Sequence, residues 1–156
     1  MRLALYQPDI PQNTGTMLRM AACLGVGVEV IGPTGFDMTD KALRRAGLDY
    51  LDHVAVQRHE SFEQFEAWRR RDGGRLVLLS THAPQSHVGF AFLSGDILML
   101  GRESSGVSEI VHNAADARIA VPMRPGLRSL NVAVAAAMVL GEALRQTNGF
   151  AGFAQA

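Results

Sequence analysis

Apolar and polar positions alternate along this chain in a way that predicts strands interleaved with helices. Short apolar runs indicate strands at 3–7, 28–31, 54–57, 75–80, 97–100 and 118–121. Helical periodicity fills most of the intervals, at 14–24, 40–46, 61–71 and 107–114. This alternation predicts an α/β fold with an open, mainly parallel sheet flanked by helices. Because no linker, internal repeat or low-complexity segment interrupts the pattern, we expect one domain over residues 1–156.

A last helix pattern begins at Ser129 and is apolar on most sides. Its two apolar stripes are Leu130, Val134, Ala137, Met138 and Gly141, and Val132, Ala135, Ala136, Val139 and Ala143. A surface helix needs only one apolar face, whereas a helix that is apolar nearly all round must be covered from several directions. We therefore expect a second copy of the chain to cover part of this helix, with the polar residues at its start forming a site at the subunit interface.

The composition is that of a globular protein, with 47% hydrophobic and 19% charged residues. No apolar run reaches the roughly 18 residues of a membrane span, and the N-terminus lacks the apolar length and cleavage site of a signal peptide. The single cysteine, Cys23, excludes an intramolecular disulfide, which fits a cytoplasmic location. Because Cys23 lies in an apolar helical stretch, we expect a buried thiol.

The charge pattern argues against strong nonspecific binding to nucleic acid, since the formal net charge is zero. All basic residues except Lys41 are arginine, whose planar fork suits phosphate. Genomic base composition explains this bias at least as well. The five histidines show no metal-ligand spacing, so we expect no metal site and read most of them as surface or loop residues.

Candidate chemistry lies in loops that follow strands, where open α/β sheets bind their ligands. The first loop, PDIPQNTGTMLR, lacks the G-x-G-x-x-G and P-loop patterns, and Asn13 or Thr14 can simply cap the first helix. In the GRESSG loop, Gly101 and Gly106 suit a positive φ or a close backbone approach, but a plain turn uses them too. Glu103 in that loop is placed either to accept a hydrogen bond from a ligand or to cap the next helix. The other two loops are STHAP after the strand at 75–80 and PMRPGLRSLN after the strand at 118–121.

Taken together, these loops resemble the SPOUT superfamily of RNA methyltransferases. Three superfamily patterns occur in order: N-x-G-x-x-x-R at 13–19, G-x-E-x-x-G at 101–106, and P-x-x-x-x-x-R-S-L-N at 122–131. The short chain and the segments LYQPDIPQNTG, GFDMTDKALRRAGLDY and RHESFEQF are similar to the minimal tRNA wobble-position 2′-O-methyltransferases, the TrmL family. The chain departs from that pattern where relatives often read N-L-S and Y-E. Here Asn131-Val132-Ala133 and Gly141-Glu142 stand instead.

The resemblance implies a SPOUT α/β-knot with a C-terminal trefoil knot, a homodimer, and a pocket for S-adenosyl-L-methionine. The implied activity is methyl transfer from this cofactor to the ribose 2′-OH of the wobble nucleotide, cytidine or modified uridine, in the tRNA anticodon loop. The residues expected at the cofactor are Leu79, Ser80, Thr81, Gly101, Glu103, Ile119, Val121, Met123, Ser129 and Leu130.

Catalytic roles are expected for Arg19, Ser129 and Asn131. Arg19, supplied to the other subunit's cofactor, would anchor phosphate and stabilise the developing alkoxide, while Ser129 and Asn131 position the ribose. The residues expected to contact RNA, an anticodon stem-loop, are Asn13, Arg19, Arg44, Arg45, Arg124 and Arg128. Two rival functions stay open: a SPOUT enzyme that acts on another tRNA or rRNA ribose, and a dimeric RNA-binding module without catalysis.

Overall fold

The fold is built on a sheet of parallel strands covered by helices on both faces. A computed structural model describes residues 1–38 and 50–153. Its strands are β1 (Arg2–Tyr6), β2 (Gly27–Ile31), β3 (Val56–His59), β4 (Leu76–Leu79), β5 (Gln85–Ser86), β6 (Ile97–Leu100) and β7 (Ala117–Ala120). Its α-helices are α1 (Pro11–Cys23), α2 (Phe62–Asp72), α3 (Glu109–Ala114) and α4 (Val132–Gln146). The helix expected at 40–46, with Arg44 and Arg45, lies outside the described residues.

Within the described residues, seven strands pair in the order β3-β2-β1-β6-β4-β7-β5, and every pairing is parallel. The predicted open parallel sheet is therefore confirmed. Alternate side chains of the central strands enter two cores, because successive residues of a strand face opposite sides. Leu3, Leu5 and Leu98 pack with residues of α1 and α4 on one face. On the other face, residues of β1, β4 and β6 pack with Phe62 and Phe65 of α2.

Helix α4 begins three residues later than Ser129, the position expected from its pattern. Asn131 caps the helix, because its side-chain oxygen accepts hydrogen bonds from the backbone N–H groups of Ala133 and Val134. Ser129 and Leu130 consequently lie in the preceding loop. The expectation of a helix opening at Ser129 is wrong, since Asn131 provides the cap.

The two apolar stripes of α4 have different surroundings. Its second stripe packs into the core, where Ala136 and Val139 are each 1% exposed. The first stripe faces outwards, and Val134 and Met138 on it are 49% and 44% exposed. The described residues thus cover one side of this apolar helix and leave Val134 and Met138 on the other side partly exposed.

The start of α1 also differs from the expectation. The helix begins at Pro11, whose fixed φ suits a first helical position, so the residues expected to cap it lie inside its first turn. Thr14 is buried and its hydroxyl donates to the Ile10 carbonyl. At the other end of the helix, Cys23 is exposed. The prediction of a buried thiol is wrong, because the apolar neighbours of Cys23 face the core while its own position faces outwards.

Two further differences are small. The short strand β5 was not predicted, because both of its residues are polar and it exists through pairing with β7. Helix α3 begins at Glu109 and is capped by Ser108. No helix of the described residues has the length and hydropathy required to cross a membrane.

The buried carboxylate of Glu29 on β2 joins three neighbouring strands. Its side chain is fully buried and pairs with Arg2 Nε of β1 at 2.5 Å and with His59 Nε2 of β3 at 2.6 Å. A buried charge is tolerated only when it is paired and hydrogen-bonded. His59 is thus a buried histidine with a structural contact.

We expect His59→Ala to lower the free energy of unfolding by about 2 kcal/mol or more, since it removes one partner of a buried carboxylate. The matched control is Gln57→Ala on the same strand, which is exposed and should cost under about 0.5 kcal/mol. Urea unfolding of both variants measures the difference. Equal stabilities of the two variants would contradict the prediction.

Candidate functional site

A cavity of about 870 Å³ lies at the carboxyl ends of the central strands. Its walls come from the loops after β4, β6 and β7, together with the first turns of α1 and α4. All ten residues that the resemblance implies at a cofactor line this cavity: Leu79, Ser80, Thr81, Gly101, Glu103, Ile119, Val121, Met123, Ser129 and Leu130. Segments that lie as far apart along the chain as Ile10 and Ala135 thus contribute to one site.

The lining combines apolar side chains with a few polar groups. Leu79, Leu100 and Ile119 are strand residues that continue the apolar core to the cavity floor. Ser80, Thr81 and Ser129 add hydroxyls, while Arg128 adds a positive charge. A cavity of this volume with apolar walls and a few convergent polar groups is typical of a small-molecule site.

The GRESSG loop forms one wall of the cavity as a closed turn. Arg102 and Gly106 exchange backbone hydrogen bonds of 2.9 and 2.7 Å. Gly106 has a φ of +72°, and a Cβ on Gly101 would lie 2.9 Å from the carbonyl carbon of Gly106. Both glycines are therefore required by the turn itself, one for a left-handed conformation and one for close backbone packing.

Glu103 of this loop does not cap α3. Its Oε1 accepts a hydrogen bond from Asn13 Nδ2 at 3.1 Å, and its Oε2 accepts one from the backbone N–H of Asp9 at 3.2 Å. Asn13 Oδ1 in turn accepts from Asn131 Nδ2 at 2.9 Å. The three sequence patterns thus meet in one hydrogen-bond chain, Glu103–Asn13–Asn131.

The side chain of Asp9 also binds this loop. Its carboxylate accepts from Arg102 Nε at 2.9 Å, from the backbone N–H of Glu103 at 3.3 Å, and from the Ser104 hydroxyl. The pKa of Asp9 is lowered below its ordinary range by hydrogen bonding with Glu103 first, then with Ser104 and Arg102. The pKa of Glu103 is raised, first by burial and then by Asp9. Asp9 is therefore the member of this pair with the lower pKa.

The expected RNA-contacting and catalytic residues other than Arg19 fall into three groups. Asn13, Arg128, Ser129 and Asn131 line the cavity. Arg124 is exposed outside the lining, and Arg44 and Arg45 lie outside the described residues.

Arg19 is the candidate catalytic residue that the structure does not bring to the cavity of its own chain. It is exposed on α1, and its guanidinium stacks over the Tyr50 ring, 4.7 Å from the ring centroid. Arg19 is consequently oriented by an aromatic ring and separated from the three loops that meet at the cavity.

Asp9, Arg102 and Ser104 are site residues that the sequence reasoning missed. Each lies within a loop that was recognised, but no local pattern reveals a contact between residues more than 90 positions apart. His82 and His112 also line the cavity, a position that the expectation of surface or loop histidines does not specify. Among the described residues, no group of three or more His, Cys, Asp or Glu side chains lies together as a candidate metal site.

Comparison with known proteins places this arrangement among RNA methyltransferases. Residues 1–141 match the model of the SpoU rRNA Methylase family. A tRNA (cytidine(34)-2′-O)-methyltransferase of Beijerinckia indica subsp. indica is 63% identical over 149 residues, which cover 96% of this chain and 93% of the relative.

Two solved structures are similar over most of this chain. One concerns the 2-OH methylation of C/U34 on tRNA; it is 41% identical, with a TM-score of 0.87 and coverage of 95% of this chain and 96% of that chain. The other is the SpoU methyltransferase AviRb from Streptomyces viridochromogenes in complex with AdoMet. It is 30% identical, with a TM-score of 0.84 and coverage of 94% of this chain and 60% of that chain.

We expect the free energy of unfolding of wild type to exceed that of Asp9→Asn by an amount that changes with pH. As the pH falls, this difference first increases and then decreases. From neutral pH down to 4.5, the ordinary value for Glu103, native wild type takes up a proton on Glu103 before the unfolded chain does, which stabilises it. The variant lacks the Asp9 charge, so the pKa of Glu103 is raised less and protonation stabilises the variant less. The difference in the free energy of unfolding between the two proteins, here called the stability gap, therefore widens. Below 3.8, the ordinary value for Asp9, the unfolded wild type gains a proton that the native state does not, and the gap narrows.

Urea unfolding of both proteins between pH 7 and pH 3 measures this gap. A gap that stays constant over the whole range would show that the two carboxyl groups are not coupled as described.

Proposed function

We propose, since this chain belongs to the SpoU rRNA methylase family, that it is a tRNA 2′-O-ribose methyltransferase. It transfers a methyl group from S-adenosyl-L-methionine to the ribose 2′-OH of the wobble nucleotide, cytidine or modified uridine, in the anticodon loop. The observation that carries this proposal is the meeting of the three sequence patterns at one cavity, joined by the Glu103–Asn13–Asn131 chain. The 63% identical tRNA (cytidine(34)-2′-O)-methyltransferase supports the choice of nucleotide.

The cavity fits S-adenosylmethionine in volume and in chemistry. Apolar side chains such as Leu79, Ile119 and Leu130 suit the faces of an adenine ring, whose edge is read by backbone groups of the loops. Hydroxyls and amides at the rim suit the ribose and the amino acid portion. When bound, the cofactor supplies an activated methyl group on a sulfonium sulfur.

The residues of this chain orient the ribose hydroxyl and offset the charge that develops on its oxygen. Ser129 and Asn131 lie at the cavity, and Asn131 Nδ2 uses one of its two hydrogens on Asn13, so the other can reach a ribose oxygen. A guanidinium stays protonated in proteins, so Arg19 serves as a phosphate anchor and a stabiliser of the alkoxide.

A homodimer, with Arg19 supplied to the partner's cavity, completes the proposal. The exposed stripe of α4 offers an apolar surface for a second copy, and Leu130, in the loop directly before the helix, is 39% exposed and lines the cavity. A copy that covers both the stripe and Leu130 therefore reaches the rim of the cavity. Gly141 lies on the same helix side, and a Cβ there would meet nothing within 4 Å, which leaves room for close helix approach.

The remaining parts of the proposal concern the RNA and the chain as a whole. Arg128 at the cavity and the exposed Arg124 bind anticodon stem-loop phosphates, together with Arg44 and Arg45. We also propose that the chain acts in the cytoplasm as one domain over residues 1–156. Strands β6 and β7 both follow β4 in the chain, and they pair with β4 on its two opposite sides. This order is compatible with the trefoil knot that the resemblance implies.

Incubation of the protein with unmodified tRNA and S-adenosylmethionine should yield 2′-O-methylation at nucleotide 34, mapped by mass spectrometry of ribonuclease fragments. The same tRNA with a 2′-deoxy nucleotide at position 34 should accept no methyl group. Methylation at another ribose would replace the wobble assignment, and binding of RNA without cofactor binding would identify a non-catalytic module.

We expect Arg19→Ala to lower kcat by about 100-fold or more while the affinity for the cofactor is unchanged, because alkoxide stabilisation acts in the transition state. Single-turnover methyl transfer with a saturating anticodon stem-loop measures the effect, and Arg124→Ala is the control for a general loss of positive charge. Full activity of the Arg19 variant with an intact dimer would remove Arg19 from the mechanism.

Met138→Glu should convert the dimer to monomers, since it places a charge in the centre of the exposed α4 stripe. Ile110→Glu is the control, because Ile110 on α3 is also apolar and 70% exposed but lies off this stripe. Sedimentation equilibrium gives the oligomeric state of both variants. A dimer that persists in the Met138 variant would place the subunit interface elsewhere.

A further inference from the structure

The GRESSG loop is held from outside the cavity by one side chain, Asp9. Asp9 does not line the cavity, yet its carboxylate takes donors from three consecutive residues of the loop, Arg102, Glu103 and Ser104. In return, its backbone N–H donates to the Glu103 carboxylate. Each of the two acidic residues thus binds the other's backbone N–H, although two adjacent carboxylates repel each other when both are ionised. The positive charge of Arg102 offsets that repulsion.

A third loop fixes the place of Asp9. Gly35, which follows β2, donates its backbone N–H to the Pro8 carbonyl at 2.9 Å. A Cβ on Gly35 would lie 2.6 Å from Asp9 Cβ and 2.9 Å from Asp9 Cα. Atoms this close cannot be accommodated without moving the Asp9 backbone, so the absence of a side chain at position 35 is a requirement of this contact.

We propose that Asp9 is a positioning residue that holds the 101–106 loop in the shape of a preformed cofactor-cavity wall, an inference that rests on the proposed function. Arg102, Glu103 and Ser104 line the cavity, so the three bonds to Asp9 set where that wall lies. Without them, the loop retains its closing bonds between Arg102 and Gly106 and the bonds of the Glu103 carboxylate, but Arg102, the Glu103 backbone N–H and Ser104 lose their common acceptor, so the loop is less firmly held. Cofactor binding must then order the loop, and affinity falls by the cost of that ordering.

The first test compares two Asp→Asn variants in the affinity for S-adenosylhomocysteine, measured by isothermal titration calorimetry. In Asp9→Asn, the new amide nitrogen cannot accept from Arg102 or Ser104, and we expect affinity to fall about tenfold. Asp96→Asn is the control, since Asp96 also accepts from an arginine, Arg75, and from a backbone N–H. Asp96 directly precedes β6, at the sheet edge opposite the cavity, so its substitution should lower stability without changing cofactor affinity.

The second test displaces Asp9 through a neighbouring residue and leaves its carboxylate unchanged. Gly35→Ala should displace Asp9 and weaken S-adenosylhomocysteine binding by a similar factor, whereas Gly89→Ala, whose Cβ would meet nothing within 4 Å, should not. The double variant of Asp9 and Gly35 should bind about as weakly as either single variant, because both act through the same contact. KM for S-adenosylmethionine should rise in parallel, while tRNA affinity without cofactor stays unchanged.

The outcomes separate this inference from the proposed function. Unchanged cofactor affinity in folded Asp9→Asn and Gly35→Ala overturns the positioning role and leaves the methyltransferase proposal standing. An equal loss in Asp96→Asn also overturns it, because the effect would then follow stability alone. A wild-type protein that binds neither S-adenosylmethionine nor its demethylated product overturns the proposed function and this inference with it.

Discussion

Parallel pairing of the strands is the constraint on which the site depends. Because the strands of the described residues all run the same way, the loops after β1, β2, β4, β6 and β7 leave the sheet at one edge. Residues far apart in the chain, such as Asp9 and Arg102, are brought within hydrogen-bond distance there. The sheet is buried on both faces by helices, so this edge is where polar side chains can gather without a desolvation cost to the core.

The fold could be predicted from the sequence to a large extent, because apolar runs and helical periodicity mark most elements. The ends of elements were predicted less accurately where two residues could each cap the same helix. Ser129 and Asn131 are both good N-caps, and only the backbone conformation around Asn131 decides between them. Strand β5 carries no apolar signal, since its pairing with β7 alone makes it a strand. The apolar residues around Cys23 in the sequence did not indicate that the Cys23 side chain itself points away from the core.

The cavity residues were predicted from the family resemblance that three short patterns carry together, and the structure brings them to one place. The residues that hold the cavity wall from behind could not be predicted in this way. Asp9 contacts the GRESSG loop only because two loops meet at the carboxyl ends of the strands. No periodicity or residue spacing in the sequence indicates that contact. Helix α4 shows the same limit, since its two apolar stripes are alike in sequence and differ only in which one the chain itself covers.

Leu130 lines the cavity and is also 39% exposed in the loop directly before the uncovered α4 stripe. In the proposed dimer, a molecule that fills the cavity and a second chain that extends from the stripe onto Leu130 contact the same side chain. Two binding events that share a contact are thermodynamically linked, and the factor by which one changes the other is the same in both directions. In such an arrangement, the dissociation constant between protomers becomes a function of cofactor concentration.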